Sequence, residues 1–239
     1  MRDDMGSRLK DIESRTKYML PRRCYTLIRI DGKAFHTYTK KCERPFDTDL
    51  REDMEMTTKA LCEHIQGCKL GYTQSDEISL LLTDFDAIET SAWFDGNLQK
   101  VVSVVASMTS AYFNRFRAIR AGSPDYVPAV FDARAWTTAD PWEAYNTFLW
   151  RQKDAMRNSI QMVARHLASY KECHGKNCKH LLEMMEDKGF NYYSYPHNCR
   201  LGSFVIKDGD RGWRIDQNSP YLQENRNYFF SQIPSIPQF

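Results

Sequence analysis

The chain has 239 residues, 42% hydrophobic and 13% aromatic, enough for one large core or two small ones. Thirty-three Lys and Arg stand against 31 Asp and Glu, and a net charge of +2 excludes identifying a nucleic-acid binder from overall charge alone. No apolar run approaches the length of a bilayer span, which argues against a helical membrane protein, and no membrane partner is expected.

In chain order, MRDDMGSRLKDIESR is charged and lacks an apolar centre, so it reads as neither a secretory signal nor an anchor. Asp4 to Lys17 is expected as a short polar helix, then a loop from Leu20 to Arg23, then an apolar strand from Tyr25 to Ile30. Asp31 and Gly32 end that strand inside Pro21 to Arg44, a stretch with seven basic and two acidic residues. Asp47 to Ile65 has the spacing of an amphipathic helix, with Asp47 or Thr48 as N-cap and Gly67 near its end. Leu70 to Thr73 and Ile78 to Thr83 read as strands around the bend Gln74-Ser75-Asp76-Glu77. Asn97 to Ile119 is too long for one strand and reads as a largely buried helix. Arg115, Arg117 and Arg120 follow Tyr112, Phe113 and Phe116, a pattern better explained by a solvated basic face than by RNA contact.

Ala129 to Trp136 reads as a strand carrying Asp132 and Arg134. Asp140 then caps, and Pro141 opens, a helix expected to reach about Tyr170. A short helix at Lys179 to Asp187 and strands at Ser203 to Lys207 and Gly212 to Ile215 complete the reading. The division falls near Thr137 to Asp140, giving a catalytic unit over 1–136 and a helical and strand region over 137–239 packed on it. Seven cysteines, an odd number, fit reduced thiols and a cytoplasmic location better than a disulfide framework. Cys173, His174, Cys178 and His180 are too compressed for paired zinc knuckles, so a turn and helix start are expected there.

Taken singly, Asp31 reads as a turn residue and Asp76-Glu77 as a hairpin tip. Together, strand, Asp-Gly, helix, hairpin bearing Ser-Asp-Glu, helix and strand give the order of a palm domain. Two Mg²⁺ ions about 3.5–4 Å apart need carboxylates from neighbouring strand ends, and magnesium accepts few protein ligands because it retains water and phosphate. The fold class expected is therefore α+β: a polymerase- or cyclase-like palm, its antiparallel sheet covered by helices, with a C-terminal helical and strand extension.

IRIDGKAFHTYTK with YTQSDEISLLL resembles the signature pair of the tRNA-histidine guanylyltransferase superfamily. Phe131-Asp132-Ala133-Arg134 is similar to the family's FD-x-R strand, and Trp150-Arg151-Gln152 with Asp154 and Asn158 to its WRQ-x-D helix. Arg200 to Ser203, and Trp213 to Asp216 with Pro220 and Arg226 to Tyr228, resemble late family segments. The resemblance implies that Asp31, the Gly32 carbonyl and Asp76 hold two Mg²⁺ ions, with Glu77 a further required acid. It implies nucleotide contacts at Lys33, Ala34, Phe35, His36, Arg44, Ser75 and Asn158, and RNA contacts at Arg29, Arg134, Arg151 and Arg200.

Two departures matter. Arg44 stands where the family has a lysine linked to activation, replacing a point charge by a planar fork. Met156 to Met162 lacks most of the eukaryotic HINxLYN motif, so the chain is more similar to the guanylyltransferase-like branch, which repairs truncated 5′ ends using a template. The expected activity is 3′-to-5′ addition to tRNA or tRNA-like RNA, with ATP, GTP and other NTPs as substrates and a homotetramer as the assembly. A dedicated adder of one G to tRNA-His, a palm-type nucleotidyl cyclase and a non-catalytic RNA-binding palm are the competing readings.

Overall fold

The strand YTLIRIDG alternates between two apolar faces, and the rest of the architecture follows from covering both. In the computed structural model, which describes residues 4–122 and 127–236, this strand is β1 (Tyr25–Gly32). Ile28 and Ile30 enter one core cluster, while Tyr25 and Leu27 enter another. The hairpin β2 (Cys68–Gln74) and β3 (Glu77–Leu82) pairs with β1 antiparallel, placing Ile78 opposite Ile30 and Leu81 opposite Leu27. Every residue of β3 is buried, as expected of a strand covered on both sides.

β4 (Phe131–Thr138) pairs with the other edge of β1, and β5 (Ser203–Lys207) and β6 (Trp213–Asp216) extend the far side. The six-stranded sheet has the order β4-β1-β3-β2-β5-β6, with antiparallel pairing throughout. This is the helix-covered antiparallel sheet expected of a palm. The boundary expected at 136/137 falls inside it: Ser203 of β5 lies opposite Thr73 of β2, so the second half of the chain completes the sheet as well as packing on it.

Among the helices, α1 (Asp4–Ser14) has no buried residue, and α2 (Phe35–Tyr38) is a single turn after β1. On one face lie α3 (Thr48–His64) and α4 (Leu98–Ala121), capped by the side chains of Asp47 and Asn97. Leu61, Val105 and Phe113 of these helices bury fully against Ile28, Ile30 and Leu80, each contributing about 1.5–3 kcal/mol. The opposite face is covered by α5 (Pro141–Leu167) and α9 (Arg226–Phe230), through Phe148 and Phe229 against Phe204 and Tyr72. Asp140 caps α5 and Pro141 begins it, as the sequence indicates.

α5 ends at Leu167, before the expected Tyr170, because Ser169 starts a new capping box for α6 (Tyr170–Cys173). α7 (Cys178–Asp187) packs on α5 through Leu181 and Met185, and α8 (His197–Leu201) leads into β5. The Cys173 to His180 stretch is a turn and helix start with Asn177 as N-cap. No described helix is long and apolar enough to cross a membrane.

Candidate active site

Antiparallel pairing brings the sequence's separated acids to one end of the sheet. Asp31 lies opposite Glu77 across β1 and β3, and opposite Asp132 across β1 and β4. The β2–β3 tip is fastened beside them by Gly32, whose N–H donates to the Asp76 carbonyl oxygen at 3.1 Å. Ser75 takes a left-handed conformation (φ 52°) at the tip, and its hydroxyl donates to Asp76 Oδ1 at 3.0 Å. Gly32 itself permits a close approach: a Cβ there would fall 2.2 Å from the buried Phe35 ring.

Asp31, Ser75, Asp76 and Glu77 line a pocket of about 330 Å³. Asp154 and Asn158 form its α5 wall, where Asn158 Nδ2 donates to Asp154 Oδ2 at 3.1 Å. Arg44, Asp47 and Arg51 line it from the segment around the start of α3, and Asn198 and Cys199 from α8. Asp47 shapes that loop by accepting from the N–H groups of Glu43 and Leu50, at 2.9 and 2.7 Å. Burial pushes the Cys42 and Cys199 thiols of the pocket up, so both are protonated at neutral pH and offer no thiolate nucleophile.

The acids differ in environment. Burial raises the Asp76 carboxyl above the usual carboxylate range and the Asp31 charge adds to this, opposed by the Ser75 hydroxyl and Arg29. Glu77 is 5% exposed and is held by two arginines: Arg151 Nη1 donates to both its oxygens at 3.1 and 3.0 Å, and Arg29 Nη2 lies 2.8 Å from Oε2. Burial still raises the Glu77 carboxyl, against the lowering effect of Arg151 and then Arg29. Glu77 is thus held by both arginines, whereas Asp31 pairs with Arg29 and Asp76 accepts from the Ser75 hydroxyl; all three line the pocket.

Arg29 also donates to Asp31 Oδ2 at 2.9 Å, so it braces the carboxylates. Arg151, expected to meet RNA, is 4% exposed and spends its charge on Glu77, stacked 3.4 Å from the Trp150 ring centroid. Its guanidinium is thus enclosed with a carboxylate rather than displayed on the surface. Arg134 is exposed on the edge strand, and Arg200 donates to the Tyr195 carbonyl oxygen at 3.0 Å beneath the Tyr193 ring.

The expected nucleotide contacts separate into groups. Arg44, Ser75 and Asn158 line the carboxylate pocket, and together with His36 they also line an adjoining cleft. Lys33 and Ala34 line another cleft, of about 760 Å³, with Lys40 and Lys41. The Phe35 side chain is 4% exposed and packs on Phe113 and Phe131, so its ring belongs to the core. Arg51, Asn198 and Cys199 were not legible as pocket residues, since Arg51 reads as an ordinary helix charge and α8 is too short for a periodic signal. Asp154 and Asn158 entered the sequence reading through the segment similar to the family's WRQ-x-D helix, and both lie on the α5 wall.

The oxygen donors fit a magnesium site. Among the described residues no group of three His, Cys, Asp or Glu side chains forms a ready-made metal cage. A carboxylate pair on adjoining strand ends, one acid raised by burial and by its neighbour's charge, is the hard-oxygen arrangement that magnesium completes with phosphate and water.

Comparison with known proteins places the chain in a family. Residues 6–139 match the family model described as tRNAHis guanylyltransferase (Thg1). The fold is similar to that of a bacterial tRNA(His) guanylyltransferase (Thg1)-like protein in complex with ATP, with a TM-score of 0.91 and 40% identity over 96% of this chain and 99% of that one. A bacterial Thg1-like protein in complex with GTP superposes with a TM-score of 0.82 at 38% identity, covering 94% of this chain and 97% of the other. An uncharacterized protein, R259, of Acanthamoeba polyphaga mimivirus is 29% identical over 77% of this chain and 70% of its own length.

Proposed function

The chain belongs to the tRNAHis guanylyltransferase family, and from that premise we propose that it adds nucleotides in the 3′-to-5′ direction to the 5′ end of tRNA or a tRNA-like RNA. The observation that carries the reading is the convergence of Asp31 and Asp76 on one pocket while Glu77 is neutralised by Arg29 and Arg151. Similarity to nucleotide-bound Thg1-like proteins supports ATP and GTP as ligands of that pocket.

In the first step an oxygen of the RNA 5′-monophosphate attacks the α-phosphorus of ATP, forming a phosphoanhydride and releasing pyrophosphate. In the second, the 3′-hydroxyl of an NTP attacks the activated RNA phosphorus, loses its proton, and displaces AMP. Both are in-line phosphoryl transfers, for which positioning and charge stabilisation suffice without a protein nucleophile. Asp31, Asp76 and the Gly32 carbonyl would hold the two Mg²⁺ ions, which supply positive charge to phosphate oxygens when bound. Arg44 contributes a fixed cation at the pocket mouth, steadied by donation to the Thr39 carbonyl oxygen at 3.2 Å. Ser75 and Asn158 present polar groups to the same space. Arg29 and Arg151 offset the negative charge that Glu77 brings to the same pocket.

Base choice follows from pairing with the opposite strand of the acceptor stem, so the protein reads shape and backbone. Seven free cysteines support a reducing, cytoplasmic setting, and the homotetramer implied by family resemblance belongs to the same reading. The test uses tRNA shortened at its 5′ end, with ATP, NTPs and Mg²⁺. Growth at the 5′ end, dependent on ATP and lost in Asp76→Asn, is expected; growth only at the 3′ end, or a cyclic nucleotide formed without RNA, overturns the reading.

A further inference from the structure

The carboxylate pocket does not end at Arg44. It opens into a cleft of about 710 Å³ that shares Arg44, Ser75 and Asn158 with it and adds His36, Arg165 and His166. That cleft in turn shares Gln161 and Arg165 with a recess of about 170 Å³, walled by Tyr170, His174 and Lys176 at the α6–α7 loop. Among the described residues no Asp or Glu lines either space, while His36, Arg44, Arg165, His166, His174 and Lys176 do. Glu172, the acid at the end of α6, faces elsewhere, accepting from Ser169 Oγ at 2.7 Å and Lys188 Nζ at 2.9 Å.

One compact polyphosphate needs one cluster of cations. Three spaces joined wall to wall, the outer two carrying basic side chains and no carboxylate among the described residues, suit a ligand whose negative charge repeats along its length. Tyr170, 73% exposed and 5.2 Å from the His174 ring, adds an aromatic face at the outer end. The geometry points to this acid-free track, from Arg44 along the last turns of α5 to the loop between α6 and α7, as the path of the RNA backbone to the carboxylate pocket. This rests on the function proposed above. It also gives a role to the Cys173 to His180 stretch, whose loop is pinned by the Asn177 cap of α7 and displays His174 and Lys176 to solvent.

The test is binding of 5′-monophosphorylated, 5′-truncated tRNA to the full chain by fluorescence anisotropy across a salt series, beside binding of ATP alone. For Arg165→Ala/Lys176→Ala the expected result is a loss of RNA affinity of about 10- to 100-fold with a salt slope smaller by about 1.5–2, ATP binding unchanged. Arg165→Lys/Lys176→Arg, which keeps the charges, should restore binding and controls for folding. RNA affinity and slope equal to wild type overturn the track while leaving nucleotide addition standing. Loss of ATP affinity with RNA binding intact assigns the cleft to a nucleotide triphosphate and also overturns it. A wild-type protein that neither binds nor extends RNA removes both this inference and the function beneath it.

Discussion

Replacing Arg151 by Met tests whether the site's electrostatics are read correctly. The substitution keeps an unbranched apolar stem but removes the donor that reaches both Glu77 oxygens at 3.1 and 3.0 Å, inside a pair whose side chains are 5% and 6% exposed. Removing one partner of a buried pair costs about 3–5 kcal/mol, because the remaining charge is left desolvated. Arg29, still 2.8 Å from Oε2, keeps part of the compensation, so the lower end, about 3 kcal/mol, applies. For a chain of this length that corresponds to a Tm lower by about 6–12 °C.

The sign of the pH dependence follows from Glu77. Its carboxyl already lies above its usual range through burial, and losing Arg151 removes the first of the influences that hold it down. A raised folded-state pKa gives stability that is complete below the unfolded value and is lost as pH rises through the folded one. The deficit of Arg151→Met relative to wild type should therefore be smaller near pH 5 than near pH 8. Thermal melts at both values, with the double variant Arg151→Met/Glu77→Gln, provide the assay; the double variant should lie closer to wild type than Arg151→Met alone. A Tm loss independent of pH, or a double variant worse than the sum of its parts, would refute the reasoning.

Further expectations concern neighbouring residues. Asp76→Asn should reduce nucleotide addition at least about 100-fold, yet raise Tm at neutral pH in the metal-free protein, since the carboxyl that burial and Asp31 push up is costly to ionise there. Activity of the wild type should rise with pH as Asp76 ionises, and a flat profile at the acidic end would contradict its assignment as a ligand. Gly32→Ala should destabilise by about 1–3 kcal/mol in urea unfolding, because its Cβ meets the Phe35 ring at 2.2 Å and that ring is enclosed by Phe113 and Phe131.

What the sequence made legible was whatever local pattern encodes. The Asp-Gly end of β1, the Ser-Asp bend of the hairpin, the Asp47 cap and the Asp140-Pro141 start of α5 depend on residues within a few positions of one another. β1 runs two residues beyond Ile30 because β4 pairs as far as Asp31 and Gly32, a partner nearly a hundred positions away by number. Pairing over such distances also hid the closure of the sheet by β5 and β6. Inside the site, charge type was visible but its use was not. That Arg151 lies against Glu77, and that the Phe35 ring is enclosed by the core, could not be read from either segment alone. Both facts are properties of packing between distant elements, which no spacing along the chain announces.

The central claim is that Asp31 and Asp76 jointly seat metal-bound triphosphate. Calorimetric titration of Mn²⁺ with ATP into the wild type, Asp31→Asn and Asp76→Asn measures this directly, with melts to show that each variant is folded. The account predicts metal-dependent ATP binding in the wild type that either substitution weakens by about tenfold or more. Equal metal-dependent affinity in all three folded proteins would contradict it.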